Sequence, residues 1–125
     1  MSNHRKSYIL TATAARNFRE ARRWSIARWG KKRTKLNFQQ LHDGAEYIAT
    51  HQRAIAPRDD LTGNTELGVY PVGEHYLVYA PIGDTQRVIV ALFRQTRDVP
   101  TILKANSYRI RLQLTAALDR FRTGK

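Results

Sequence analysis

The chain has 125 residues, 42% of them hydrophobic, and sets 22 Lys and Arg against 10 Asp and Glu for a formal net charge of +12. That length suits one domain with a modest core, and the absence of Cys excludes disulfides and thiolate metal sites. No apolar run approaches the ~18 residues that span a bilayer, and the apolar stretch Tyr8 to Leu10 is too short for a secretory leader, so a cytoplasmic protein without membrane contact is expected.

The charge is unevenly spread. Residues 1–35 hold 11 basic side chains and one acidic, Glu20; residues 36–86 hold two and seven; residues 87–125 hold nine and two. The segments thus carry +10, −5 and +7. Such asymmetry points to an anionic partner, whether nucleic acid, an acidic protein surface or a nucleoprotein machine. A merely soluble basic protein is the plain alternative.

In chain order, Tyr8 to Ala12 reads as a short strand. Thr11 or Thr13 can cap a helix running to Trp29, with Gly30 as its stop. At about 100° per residue, Ala14, Phe18, Ala21, Ser25 and Trp29 share a face, opposite Arg16, Arg19, Glu20 and Arg23. Arg22 falls toward the apolar side and must snorkel or find a partner. A second helix is expected after "GKKRTK", with Phe38, Leu41, Ala45, Ile48 and Ala49 as its stripe. Gly44 in its middle weakens it by roughly 1 kcal/mol relative to Ala. The short link implies an antiparallel helical hairpin. Pro57 and "RDDLTGNT" end this half.

The period then drops to two. "ELGVYPV", "HYLVYAP" and "QRVIVALF" read as strands of a meander, with turns at Gly73-Glu74 and Gly83-Asp84. Pro71 and Pro81 sit near strand ends, where a missing donor is tolerated. "VIVALF" lacks alternation and should be the central strand, covered on both faces. The order β-α-α-β-β-β defines an α+β domain, a helical hairpin on a small, mostly antiparallel sheet. Beyond Asp98 the chain stays helical in character. Asn106 and Ser107 can cap a last helix in which Ile110, Leu114, Ala117, Leu118 and Phe121 align, leaving Arg109, Gln113, Asp119 and Arg120 wet. That stripe is too apolar for water, so residues 106–125 are expected to dock on the domain formed by residues 1–105, or across a dimer interface.

No catalytic signature stands out. His4, His42, His51 and His75 lack metal-ligand spacing, and no nucleophile elbow, phosphate-cradling loop or dinucleotide fingerprint occurs, so neither a metal nor a cofactor is expected. Trp24, Trp29, Phe38 and Tyr47 can serve as a base-stacking platform, or as core and an interface for a partner helix. The most buried strand runs directly into Arg94, Arg97 and Asp98. Arg97 and Asp98 can clamp sheet to hairpin. Alternatively Arg94 and Arg97 can hold phosphates or stabilise charge developing during RNA cleavage, with His75 and Tyr108 the nearest acid–base candidates.

Taken together, "YILTATAARNFREARRWSIARWG", "YLVYAP" and "RVIVALFRQTRDVPTIL" resemble the RelE/ParE superfamily of toxin–antitoxin toxins over about residues 7–103. Ala14, Asn17 and Phe18 stand at its A-x-x-D-L, Trp29-Gly30 at its helix end, and Phe93, Arg94, Arg97 and Asp98 at its closing L-H-x-x-R-D. The R-D turn and "VPTIL" look more like the ParE, or plasmid-stabilisation, branch. That resemblance implies a non-enzymatic poison of DNA gyrase, with Arg94, Arg97 and Asp98 facing the target. A cognate antitoxin would then neutralise it, laying an acidic tail over Trp24, Trp29, Phe38 and Leu41. The RelE branch implies instead cleavage of mRNA on the ribosome, for which Arg94, Arg97, Tyr108 and His75 are the catalytic candidates. Arg94 in place of the frequent His counts against His-based cleavage. A basic nucleic-acid-binding module is the third reading; a helix-turn-helix fits poorly, because strands occupy the half where more helices would be needed.

Overall fold

The computed structural model describes residues 8–51, 62, 67–82 and 86–123. Four strands form one mixed sheet in the order β1-β4-β3-β2, with β1 Tyr8–Leu10, β2 Gly68–Val72, β3 His75–Ile82 and β4 Gln86–Arg94. β1 lies parallel to β4, and β4, β3 and β2 form an antiparallel meander. Helices α1 (Ala12–Trp29) and α2 (Lys31–Thr50) cover one face; α3 (Val99–Ala105) and α4 (Ser107–Thr123) cover the other. The fold is α+β, a helical hairpin on a small sheet plus a C-terminal helix.

The start of α1 is over-determined. The Thr11 hydroxyl accepts the Ala14 N–H at 3.1 Å, the capping bond that satisfies an orphan helix donor. The same oxygen donates to the Val90 carbonyl at 3.1 Å, tying the helix start to β4. A second orphan donor, Thr13 N–H, is taken at 3.0 Å by Oε1 of Gln113, so that α4 reaches around the sheet to finish capping α1. Gln113 is therefore half-buried and bonded, not on the wet face where the helical wheel puts it.

α1 ends at Gly30, whose φ of 87° a side chain would strain. Helix α2 starts immediately at Lys31, so "KKRTK" is its first turn and the link is a single residue. Between the helices, Phe18 and Phe38 meet edge to face at 6.1 Å. The Arg22 guanidinium lies 5.9 Å over the Phe38 ring, which is the partner its position required. Phe18, Phe38, Leu41, Ala45 and Ile48 join Tyr8, Leu77, Ile89 and Leu92 in one core cluster.

β4 is the central, doubly covered strand, and it carries a bulge. Val78 pairs with Ala91 while Tyr79 pairs with Ile89, leaving Val90 as the extra residue. The bulge inverts the two-residue alternation. Ile89 and Leu92 face the hairpin, whereas Val88, Val90 and Ala91 join Val99, Leu103, Ile110 and Ala117 on the other face. Arg94, two residues past Leu92, therefore reaches the hairpin side. Pro71 lies on β2, the edge strand, and Pro81 lies beyond the last β2 partner of β3.

α4 packs on β4 and α1 of its own chain through Ile110, Leu114 and Ala117. The Gly83-Asp84 turn, the Pro57 break with most of "RDDLTGNT", and the Ala49, Arg120 and Phe121 side chains lie outside the described residues.

Candidate functional site

β1 stops at Leu10, opposite Ile89, but β4 continues to Arg94. Past that point no strand among the described residues neighbours the β1-side edge of β4. Helix α1 stands in for one. Thr11 N–H reaches the Ile89 carbonyl at 3.0 Å, and Oδ1 of Asn17 accepts the Leu92 N–H at 3.2 Å. Between α1 on one side and α3 with α4 on the other, this open edge floors a cavity of about 360 Å³.

Three guanidiniums line it, from Arg16, Arg94 and Arg97, against one carboxylate, Glu20. Arg94 lies with its Cζ 4.2 Å from the centre of the Trp24 ring, a cation–π contact, while its Nε is buried without a hydrogen-bond partner. Trp24 meets Trp29 edge to face at 5.2 Å, and Arg28 and Arg33 lie over Trp24 and Trp29 at 5.4 and 4.7 Å. The aromatics anticipated as one platform are thus divided. Trp24 and Trp29 are half-buried under arginines, Phe38 is core, and Tyr47 stacks on Tyr70 and His51 at 5.4 and 4.1 Å, beside β2.

His75 is the register partner of Arg94 on β3 and is only 7% exposed. Burial, reinforced by the Arg94 charge and opposed by Glu74, lowers its pKa below the ordinary value, so the ring is neutral at neutral pH. Its Nε2 has no hydrogen-bond partner. The ring lines both the main cavity and a smaller groove of about 200 Å³, walled by Trp29, Arg33, Gly73 and Glu74.

The segment after β4 is held mainly by a residue that the sequence reading passed over. Gln95 donates its N–H to the Glu74 carbonyl at 2.9 Å and its Nε2 to the carbonyls of Gly73 and His75 at 3.1 Å each. That strap, not an Arg97–Asp98 clamp, fixes the end of β4 to the β2–β3 turn. Asp98 is the N-cap of α3, accepting from Thr101 N–H at 3.4 Å and from its hydroxyl at 2.8 Å. Its exposed carboxylate therefore caps its own helix. Arg97 is exposed at the cavity rim.

Of the cleavage candidates, Arg94, Arg97 and His75 share the cavity, whereas Tyr108 is 72% exposed on α4 and is not part of its lining. Of the partner-facing candidates, Phe38 and Leu41 are 7% and 2% exposed and belong to the core, whereas Trp24 and Trp29 are half-buried. Phe38 and Leu41 both lie on the inner stripe of α2, which leaves Leu36 and Tyr47 61% and 38% exposed. No cluster of three metal-binding side chains occurs, and no helix is long and apolar enough to cross a membrane, among the described residues.

This combination defines a class: a basic α+β protein with a helical hairpin on one sheet face and an arginine-lined groove where β4 outruns β1. Residues 8–99 match the model of the ParE toxin of the type II toxin–antitoxin system parDE, so the chain belongs to the ParE toxin family. It is accordingly the toxin of a type II toxin–antitoxin pair, a family whose members have an antitoxin partner. The fold is similar to that of a solved chain described as the chromosomal ParDE TA system from P. aeruginosa. The TM-score is 0.59 at 13% identity, over 74% of this chain and 98% of that one. No curated protein matches the sequence. The family match stops at Asp98-Val99, so α3 beyond its first residue and all of α4 lie outside it.

Proposed function

We propose that this toxin inhibits bacterial growth in the cytoplasm by acting on DNA gyrase, and that a cognate antitoxin with an acidic segment neutralises it. Family membership supports the toxin part. The observation that carries gyrase over mRNA cleavage is the division of the acid–base candidates. Tyr108 is turned to solvent on α4, and the buried, neutral His75 is left with arginines around it. Cleavage needs a base and an acid on opposite sides of one phosphate, whereas poisoning a protein–DNA intermediate needs only a complementary surface. Arg97, exposed at the rim, and Arg94, braced on Trp24, supply that surface.

Purified protein added to a gyrase supercoiling reaction should block supercoiling and accumulate cleaved DNA. Cut mRNA in translating ribosomes, with supercoiling untouched, would replace this reading with the nuclease one, in which His75, Arg94 and Arg97 act together in the cavity they share. Arg97→Ala separates surface from scaffold. An exposed side chain at the rim should leave stability within about 0.5 kcal/mol while growth inhibition falls.

A further inference from the structure

The groove beside β4 has two unlike walls, and the difference has a period. An extended chain lying in the plane of the sheet points alternate side chains to opposite faces. On one face it would meet Arg16, Arg94 and Trp24; on the other, Ile102, Leu103 and Ile110. The backbone of the floor is also directional. Leu92 N–H points to the open edge, where Asn17 takes it. By the same alternation the Leu92 carbonyl and the Arg94 N–H face that edge, while Gln95 N–H turns back to Glu74. A residue of a strand parallel to β4 bonds a carbonyl and the N–H two residues on, which is the pair on offer. Such a strand would continue the line of β1 after α1 has left it.

We propose that the open edge of β4 receives an extended, parallel segment of a partner protein in which acidic and apolar residues alternate. Its carboxylates would lie on Arg94 and Arg16, with Arg97 at the rim, and its apolar side chains on Ile102, Leu103 and Ile110. Charge complementarity selects the occupant. Arg94 and His75, whose Nε and Nε2 are buried without a hydrogen-bond partner, both line this cavity, and Glu20 is its one opposing charge. A sugar–phosphate backbone satisfies the arginines but leaves the apolar wall of α3 and α4 in water. That wall is built mostly from residues after the family match ends, so it also gives this toxin a means of choosing its own partner. Identifying the partner as the antitoxin rests on the proposed function; the groove's preference does not.

The test uses the full chain and a fluorescein-labelled eight-residue peptide of alternating valine and glutamate, read by anisotropy and by Trp emission. Expected are saturable binding, at least tenfold weaker binding of the valine–glutamine counterpart, and at least tenfold loss in Arg94→Gln with its melting curve retained. Glu20→Gln, which removes the repelling carboxylate, should tighten binding several-fold. Equal binding of a block peptide, four valines followed by four glutamates, would overturn the alternation. Displacement of the peptide by a single-stranded oligonucleotide at lower concentration would overturn the choice of a polypeptide. Peptide binding by a chain that does not inhibit growth would sink the proposed function and leave the groove standing.

Discussion

Asn17→Ala removes a side chain that stands in for a strand at the edge of β4. Its Oδ1 accepts the Leu92 N–H at 3.2 Å, and Leu92 is 5% exposed, so no water easily replaces the lost acceptor. An unsatisfied buried amide costs about 1–3 kcal/mol. Ala is the better helix former by about 0.5 kcal/mol, which offsets part of that. The net loss should be about 0.5–2.5 kcal/mol. With ~2.1 cal/mol/K per residue of unfolding entropy, a chain of this length loses about 4 °C per kcal/mol, hence about 2–10 °C. Asn17→Asp keeps an acceptor in place and should melt within a few degrees of the parent. Amide exchange by NMR locates the effect, because Leu92 should lose protection in the Ala variant while Val88, deep in the same strand, does not. A melting point for Asn17→Ala within about 1 °C of the parent, or unchanged exchange at Leu92, would refute the edge-sealing role.

Gly44→Ala should destabilise, although Ala favours helix by about 1 kcal/mol, because its Cβ would stand 2.5 Å from Val72 Cγ2. Overpacking of that kind costs about 1–3 kcal/mol, and adding Val72→Ala should recover part of it; urea denaturation that finds the single variant more stable would contradict the close approach of α2 to β2. Burial, with Glu46 nearby, pushes the Tyr8 pKa up to about 12 from 10.0. The unfolded chain therefore releases this proton first, so stability should fall between about pH 10 and 12, and Tyr8→Phe should flatten the fall measured by denaturation at each pH. Deleting residues 106–125 strips Ile110 and Ala117 from the second core cluster and uncaps Thr13; the melting point should drop by at least about 10 °C, and an unchanged value would mean that α4 contributes no stability.

Much of the architecture could be read without coordinates because it rests on local periods. The 3.6-residue stripe of α1, the Thr11 and Gly30 boundaries, and the two-residue strands after Gly68 each follow from neighbours in the chain. The "KKRTK" run was not legible as helix, since Lys and Arg show no apolar period; that Thr34 within it is 1% exposed is a fact of tertiary packing. Asp98 carried a signal that was open to use, a carboxylate two residues before Pro100, which is an N-cap pattern.

By itself, then, the sequence determined the element order, the basic character and the loose family line, all of which depend on composition and short-range spacing. Tertiary structure decided which groups meet. In an all-apolar run such as "VIVALF" nothing marks a bulge, yet the extra residue at Val90 decides that Arg94 joins Trp24 and His75 rather than α4. Asn17 and Leu92 are 75 residues apart, and Thr13 and Gln113 are 100 apart. Such pairings arise from where β1 happens to stop and β4 continues. No local period records that geometry, because it belongs to the sheet and not to any one segment.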